Sequence, residues 1–166
     1  FLDTIFTVAV TFYAGLVPGL IVAVLHNPIR TFIRSVIYGT DLFYFGSLYA
    51  VCGMLIALST WIFSRNKKDF FFNRTVTVLY LLIIVFVSSF LSCFSASALD
   101  TFIRPLLNDS LRFFPTDIFS IPFQKLKFGM FLSYLLPRIP ITVLDRLICT
   151  FSGFGLYRLV ERRISC

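Results

Sequence analysis

From Thr75 to Ala98 the chain carries no charged side chain, and its centre reads VLYLLIIVFVSSFL. As a helix, that stretch is long enough to cross a hydrocarbon core of about 30 Å. It is not a barrel strand, because a strand facing lipid on one side alternates apolar and polar residues over about ten positions. Four more runs have similar character, at roughly 1–15, 16–37, 41–63 and 139–160. Hydrophobic residues make up 58% of the chain and charged ones 14%, against about 25% charged in a soluble domain. The expected fold is therefore an all-α membrane protein. It is a single integral-membrane helical domain over 1–166, with five transmembrane helices in this chain. An outer interfacial loop or helix covers 99–138.

That segment carries Asp100, Arg104, Asp109, Arg112, Asp117, Lys125, Lys127 and Arg138 among four prolines. Its apolar part, about 128–136, is too short to span comfortably. Topology follows from the retention of Lys and Arg on the cytoplasmic side. Arg65, Lys67, Lys68 and Arg74 cluster in one short loop, and Arg158, Arg162 and Arg163 in the tail. Two cytoplasmic flanks need an even number of crossings between them, so 75–98 and 139–160 cross and 121–136 does not. Counting back, Phe1 lies outside. A chain that begins in the cytoplasm then has one more helix upstream, six in all.

Most of the Lys and Arg behind the net charge of +7 lie between apolar runs, and they do not form the basic stripe of a nucleic-acid interface. Cys52, Cys93 and Cys149 sit in apolar runs, Cys166 is terminal, and His26 is the single histidine. No spacing suits a zinc site, and no metal or cofactor is expected. No nucleophile, P-loop or metalloprotease motif is present, so no catalytic residue is assigned and the chain is not read as an enzyme.

Under this topology polar residues collect at the outer ends of the runs. Asp145 and Arg146 lie about two turns into the last run. Ionisable groups inside a span cost several kcal/mol unless paired or solvated, which makes them functional candidates. Neighbours on a helix point about 100° apart, so the two are expected to find separate partners, either a ligand or structural counter-ions such as Arg104 or Asp41. Asp3, at the outer start of the first run, either caps its helix or joins Asn27, Arg30, Asp145 and Arg146 around a ligand. His26-Asn27-Pro28 is expected to close the second helix. Gly15, Pro18 and Gly19 mark a tight cytoplasmic turn, with Pro in the first turn of the next helix. Gly46, Ala50, Gly53 and Ala57 share one face of the third run. That face suits close helix approach, either within the bundle or against another subunit.

Leu2-Asp3-Thr4-Ile5, Gly15, Pro18-Gly19, Asn27 and Asp145-Arg146 are similar to motifs in the substrate-binding S components of energy-coupling-factor (ECF) vitamin transporters. The similarity covers about 50 residues at the two ends, and Arg146 stands where that family usually has Lys. The resemblance implies a six-helix bundle with an outward pocket for a vitamin-like small molecule, in a bacterial cytoplasmic membrane. It also implies a transmembrane coupling subunit and two cytoplasmic ATPases as partners. A membrane sensor domain of a bacterial signalling protein, or a structural subunit of a larger complex, fits the same hydropathy.

The topology is checked by labelling with an impermeant thiol reagent in a background without Cys52, Cys93, Cys149 and Cys166. Asp109→Cys should react only from outside and Lys68→Cys only from inside. Reaction at 109 from the inside alone overturns the parity.

Overall fold

The computed structural model describes residues 4–38, 47–103, 106 and 129–164. Among them there is no strand, and the elements are α1 (Ile5–Ala14), α2 (Leu16–Tyr38), α3 (Ala50–Ser64), α4 (Lys67–Phe70), α5 (Arg74–Ala98) and α6 (Met130–Ile164), with a π-helical turn at Leu99–Ile103 that extends α5. Three helices are long and apolar enough to cross a membrane: α2, α5 with its π turn, and α6. α1 and α3 are shorter, at 10 and 15 residues, or about 15 and 22 Å. Residues 1–3 and 41–46 of their expected runs lie outside the described residues.

The helices pack as a ring. α1 lies against α2 and α6, α2 against α3, α3 against α5, α5 against α6, and α1 also touches α3 across the middle. Close approaches depend on small residues. Gly15 ends α1 with φ 90°, a left-handed value that costs glycine least. Its N–H donates to Thr11 O at 3.1 Å, and its own carbonyl accepts from Gly19 N. α2 thus begins one residue after α1 stops. Pro18 falls in the first turn of α2, where its missing N–H breaks no helical bond. A methyl group on Gly153 of α6 would lie 2.8 Å from Val8 Cγ1 and 3.0 Å from the Ile5 carbonyl of α1.

Two expectations drawn from prolines are revised, and the one drawn from small residues is narrowed to one of its alternatives. α2 runs through Pro28 to Tyr38 instead of closing at His26-Asn27-Pro28. α6 starts at Met130, not 139, and continues through Pro137 and Pro140 for 35 residues, about 52 Å. The apolar stretch near 130–136 is therefore the first part of the last helix, not a loop. A proline forfeits one backbone bond, which packed neighbours and Ser or Thr side chains can offset in membrane helices. Of the small-residue ladder, Ala50, Gly53 and Ala57 are buried within this chain, and a methyl on Gly53 would meet Ala23 Cβ at 3.3 Å. The ladder's close approach is made to α2. Gly46 lies outside the described residues.

One end of the ring gathers both basic flanks. The α1–α2 turn faces Trp61, Ser64, Arg65 and Lys67 across a shared cleft, and the Arg158 guanidinium lies 5.3 Å above the Phe71 ring. α5 and α6 therefore run away from this end and return to it, the even parity expected from the Lys and Arg clusters. Toward this end the core is aromatic. Phe12, Phe70, Phe71, Phe154 and Tyr157 form a mutual set with ring centroids 5.0–6.3 Å apart, continuous with Val8, Ile56, Leu81 and Ile84. α2 turns Val17, Ile21, Phe32, Ile33, Val36 and Ile37 outward, as a lipid-facing helix does.

Gly153→Ala should lower thermal stability in detergent by about 1–3 kcal/mol, because the added methyl meets the backbone and a β-branched side chain. Gly155→Ala, two residues on and with nothing within 4 Å of the added methyl, should be neutral or slightly stabilising through helix propensity. Equal effects at both positions would show that the α1–α6 contact is not the tight one.

Candidate functional site

Away from the aromatic core the interior becomes polar, and it is organised around two ion pairs on α6. In the first, Arg138 Nη2 pairs with Asp100 Oδ2, and the Tyr49 hydroxyl donates to Asp100 Oδ1. Asp100 is 1% exposed and Arg138 12%. Three elements meet here: the start of α3, the π turn after α5, and α6. The π turn is wider than an α turn, a feature often found at functional positions, and it carries Asp100 in the buried face of α5. Thr101 Oγ1 closes back on Ser97 O at 2.7 Å.

In the second pair, Arg146 Nη2 lies 2.7 Å from Asp145 Oδ2, and Arg146 Nη1 donates to Thr4 Oγ1 at the start of α1. Eight residues separate Arg138 from Arg146, about 12 Å along α6, so the pairs occupy two levels of the bundle. The expectation that Asp145 and Arg146 take separate partners is corrected. Their Cα–Cβ bonds diverge, but the Arg side chain is long enough to fold its guanidinium back onto the neighbouring carboxylate.

From the Asp100 level toward the basic end α5 contributes a row of small polar side chains. The hydroxyls of Ser89, Ser92 and Ser97 are buried with no hydrogen-bond partner among the described residues. Cys52 of α3 donates to the Ser92 carbonyl at 3.7 Å. Toward the basic end the buried hydroxyls behave differently. Thr11, Ser59, Thr60 and Ser88 each bond a carbonyl of their own helix, the usual way to satisfy a hydroxyl in an apolar interior. Thr77 additionally bonds Phe70 O at 2.8 Å, which ties α4 to α5.

Of the residues expected around a ligand, Asp145 and Arg146 are buried together. Asn27 is half-buried and Arg30 exposed on α2, and the main packing of α2 is on α1 and α3. Asn27 lies one turn beyond Ala23, which packs on Gly53. Tyr49 lies one turn beyond Gly53 in the antiparallel direction, so Asn27 stands near the Tyr49 level. Asp3 and most of the expected roof (104–105 and 107–128) lie outside the described residues. The Asp100–Arg138–Tyr49 cluster is what a reading of the sequence misses as a unit. Its signal is an aspartate within five residues of an uncharged run, with Arg138 the basic residue nearest the next run.

A buried ion left without its partner typically costs 3–5 kcal/mol, whereas replacing both partners by apolar groups is often neutral. Asp100→Asn alone and Arg138→Met alone should each lower stability by a few kcal/mol. The double replacement should recover most of the loss. Thermal unfolding of the three variants gives the cycle, and strictly additive losses would show that the two side chains are not coupled.

The chain matches no family model, no curated protein and no solved structure.

Proposed function

We propose that this chain is the membrane-embedded, small-molecule-binding subunit of an ECF-type importer, with five crossings in this chain and the basic end in the cytoplasm. The observation that carries the reading is the row of buried, unpartnered hydroxyls Ser89, Ser92 and Ser97 lying on the same helix as Asp100 and packed between α3 and α6. Buried polar groups are ordinarily satisfied by protein or water, and three on one face of one helix suit a polar ligand or the waters that hold its place. The division of the interior supports the same reading, with an aromatic seal toward the basic end and polar groups toward the other. A ligand entering from outside would meet Tyr49, Asp100 and Arg138 first, then Ser97, and then the level of Ser92, Asp145 and Arg146. Transport would require the coupling subunit and two ATPases, whose docking would use surface other than the buried ladder residues. A purely structural role is the second reading, favoured by the fact that both ion pairs close on side chains of this chain.

Native mass spectrometry of the purified protein should show a retained small polar molecule. Asp145→Asn should then weaken its binding by about ten- to a hundredfold, the worth of a charge-assisted hydrogen bond of about 1.5–3 kcal/mol, while the protein stays folded. Loss of thermal stability with no retained molecule in the parent protein would favour the structural role.

A further inference from the structure

The cleft at the basic end is separate from the polar interior and independent of what the other end binds. It is an open depression of about 280 Å³ between the end of α1 and the end of α3. Gly15, Trp61, Ser64, Arg65 and Lys67 line it, and no acidic side chain does. Its two cations differ in freedom. The Arg65 guanidinium is held 5.8 Å over the Trp61 ring, a cation–π arrangement that orients it. Lys67 is exposed at the start of α4. Gly15 leaves the floor of the turn without a side chain, and a methyl there would meet nothing within 4 Å.

The surrounding face is strongly positive. Arg65, Lys67, Lys68, Arg74, Arg158, Arg162 and Arg163 stand at this end, against Asp69 and Glu161. Both acids are already engaged. Asp69 accepts from Asn66, and Glu161 accepts from Tyr157 and Arg158. The C-terminal ends of α1 and α3 also face the cleft and favour cations there. Trp61 is an amphipathic ring of the kind that sits at the headgroup level of a bilayer.

We propose that this cleft binds a phosphate group, with Arg65 and Lys67 as its ligands, Ser64 as a hydroxyl donor and Trp61 as the wall on which an attached glycerol or acyl segment lies. The group is carried by an anionic lipid of the adjacent leaflet or is free in solution, and the experiment separates these sources.

The full chain in a neutral detergent is titrated with phosphatidylglycerol, with phosphatidylcholine and with inorganic phosphate, and binding is read by native mass spectrometry and by the shift in melting temperature. We expect one tightly retained phosphatidylglycerol, weak retention of phosphatidylcholine and little effect of inorganic phosphate. Each basic residue near an anionic lipid contributes a factor of about five, so Arg65→Gln with Lys67→Gln should weaken retention about twentyfold. Arg162→Gln with Arg163→Gln removes the same charge from the same face and should weaken it less than about threefold. Saturable protection by inorganic phosphate, lost in the Arg65/Lys67 variant, would assign the same site to free phosphate. Equal weakening in the two double variants would reduce the effect to general surface charge and overturn the site, as would retention of phosphatidylcholine equal to that of phosphatidylglycerol. Both pairs are exposed, and the melting temperature without lipid shows whether each variant is folded. If the Arg65/Lys67 pair does not fold, Lys67→Gln alone should weaken retention about fivefold, and no change there counts against the cleft.

Discussion

The ionic contacts of α6 hold the polar part of this bundle together. Arg138 reaches the end of α5 and, through Asp100, the start of α3. Arg146 reaches the start of α1. One helix thus fixes the positions of three others through two guanidinium groups. In a low-dielectric interior the attraction within each pair is large, but so is the cost of removing both ions from water, and the net gain over an apolar pair is small or negative. What the pairs supply is register. A leucine at 138 could pack against many faces of α5, whereas a guanidinium there is directed to the Asp100 carboxylate. The aromatic set at the other end works differently, because dispersion and burial tolerate sliding, and six-membered rings 5–6 Å apart fill space without choosing a single partner. Specific polar contacts at one level and permissive packing at another give a bundle that is pinned at one end and sealed at the other.

Among the described residues α1 runs from its cap Thr4, which accepts from Arg146, to Gly15 beside the basic flank. Val8 and Phe12 are its deepest apolar residues, while Thr4, Thr7 and Thr11 form a buried polar stripe on the same helix. Thr11 satisfies itself through Thr7 O, and Thr4 is given to Arg146. Gly153 permits this arrangement by letting α6 approach the backbone of α1, and Gly19 does the same for α2 through Thr11.

How much of this the sequence discloses depends on the range of the interaction. α5 is readable to within about a residue, since an uncharged run bounded by charge is a local pattern. The shared position of the two basic flanks is also readable, because parity requires only counting. The start of α6 is not, since Pro137 and Pro140 carry the local signature of a boundary, and only the packed neighbours make the continued helix tolerable. Pro28 misleads for the same reason. The pairing of Asp145 with Arg146 escapes a reading based on helical angle, which places Cβ atoms and ignores the reach of a long side chain. Asp100 and Arg138 are 38 residues apart in sequence, and no periodicity links them. Their meeting depends on α5 and α6 packing antiparallel, which is itself a consequence of the parity that was legible.

The hydroxyl pattern bears most directly on what the interior is for. A serine or threonine in a membrane helix has a ready partner in a carbonyl one turn back, and Thr11, Ser59, Thr60 and Ser88 all use it. Taking that option requires only a side-chain rotation. Ser89, Ser92 and Ser97 lie on the same kind of backbone and leave the option untaken. A scaffold has no reason to bury three hydroxyls in this state when alanine would pack as well, without the cost of desolvating a polar group, about 1–3 kcal/mol each. The proposed binding role would give one, because hydroxyls not committed to their own backbone could turn toward a polar ligand. If the interior binds a ligand as proposed, the charged groups it would meet are the Asp100–Arg138 and Asp145–Arg146 pairs, whose arginines are about 12 Å apart along α6.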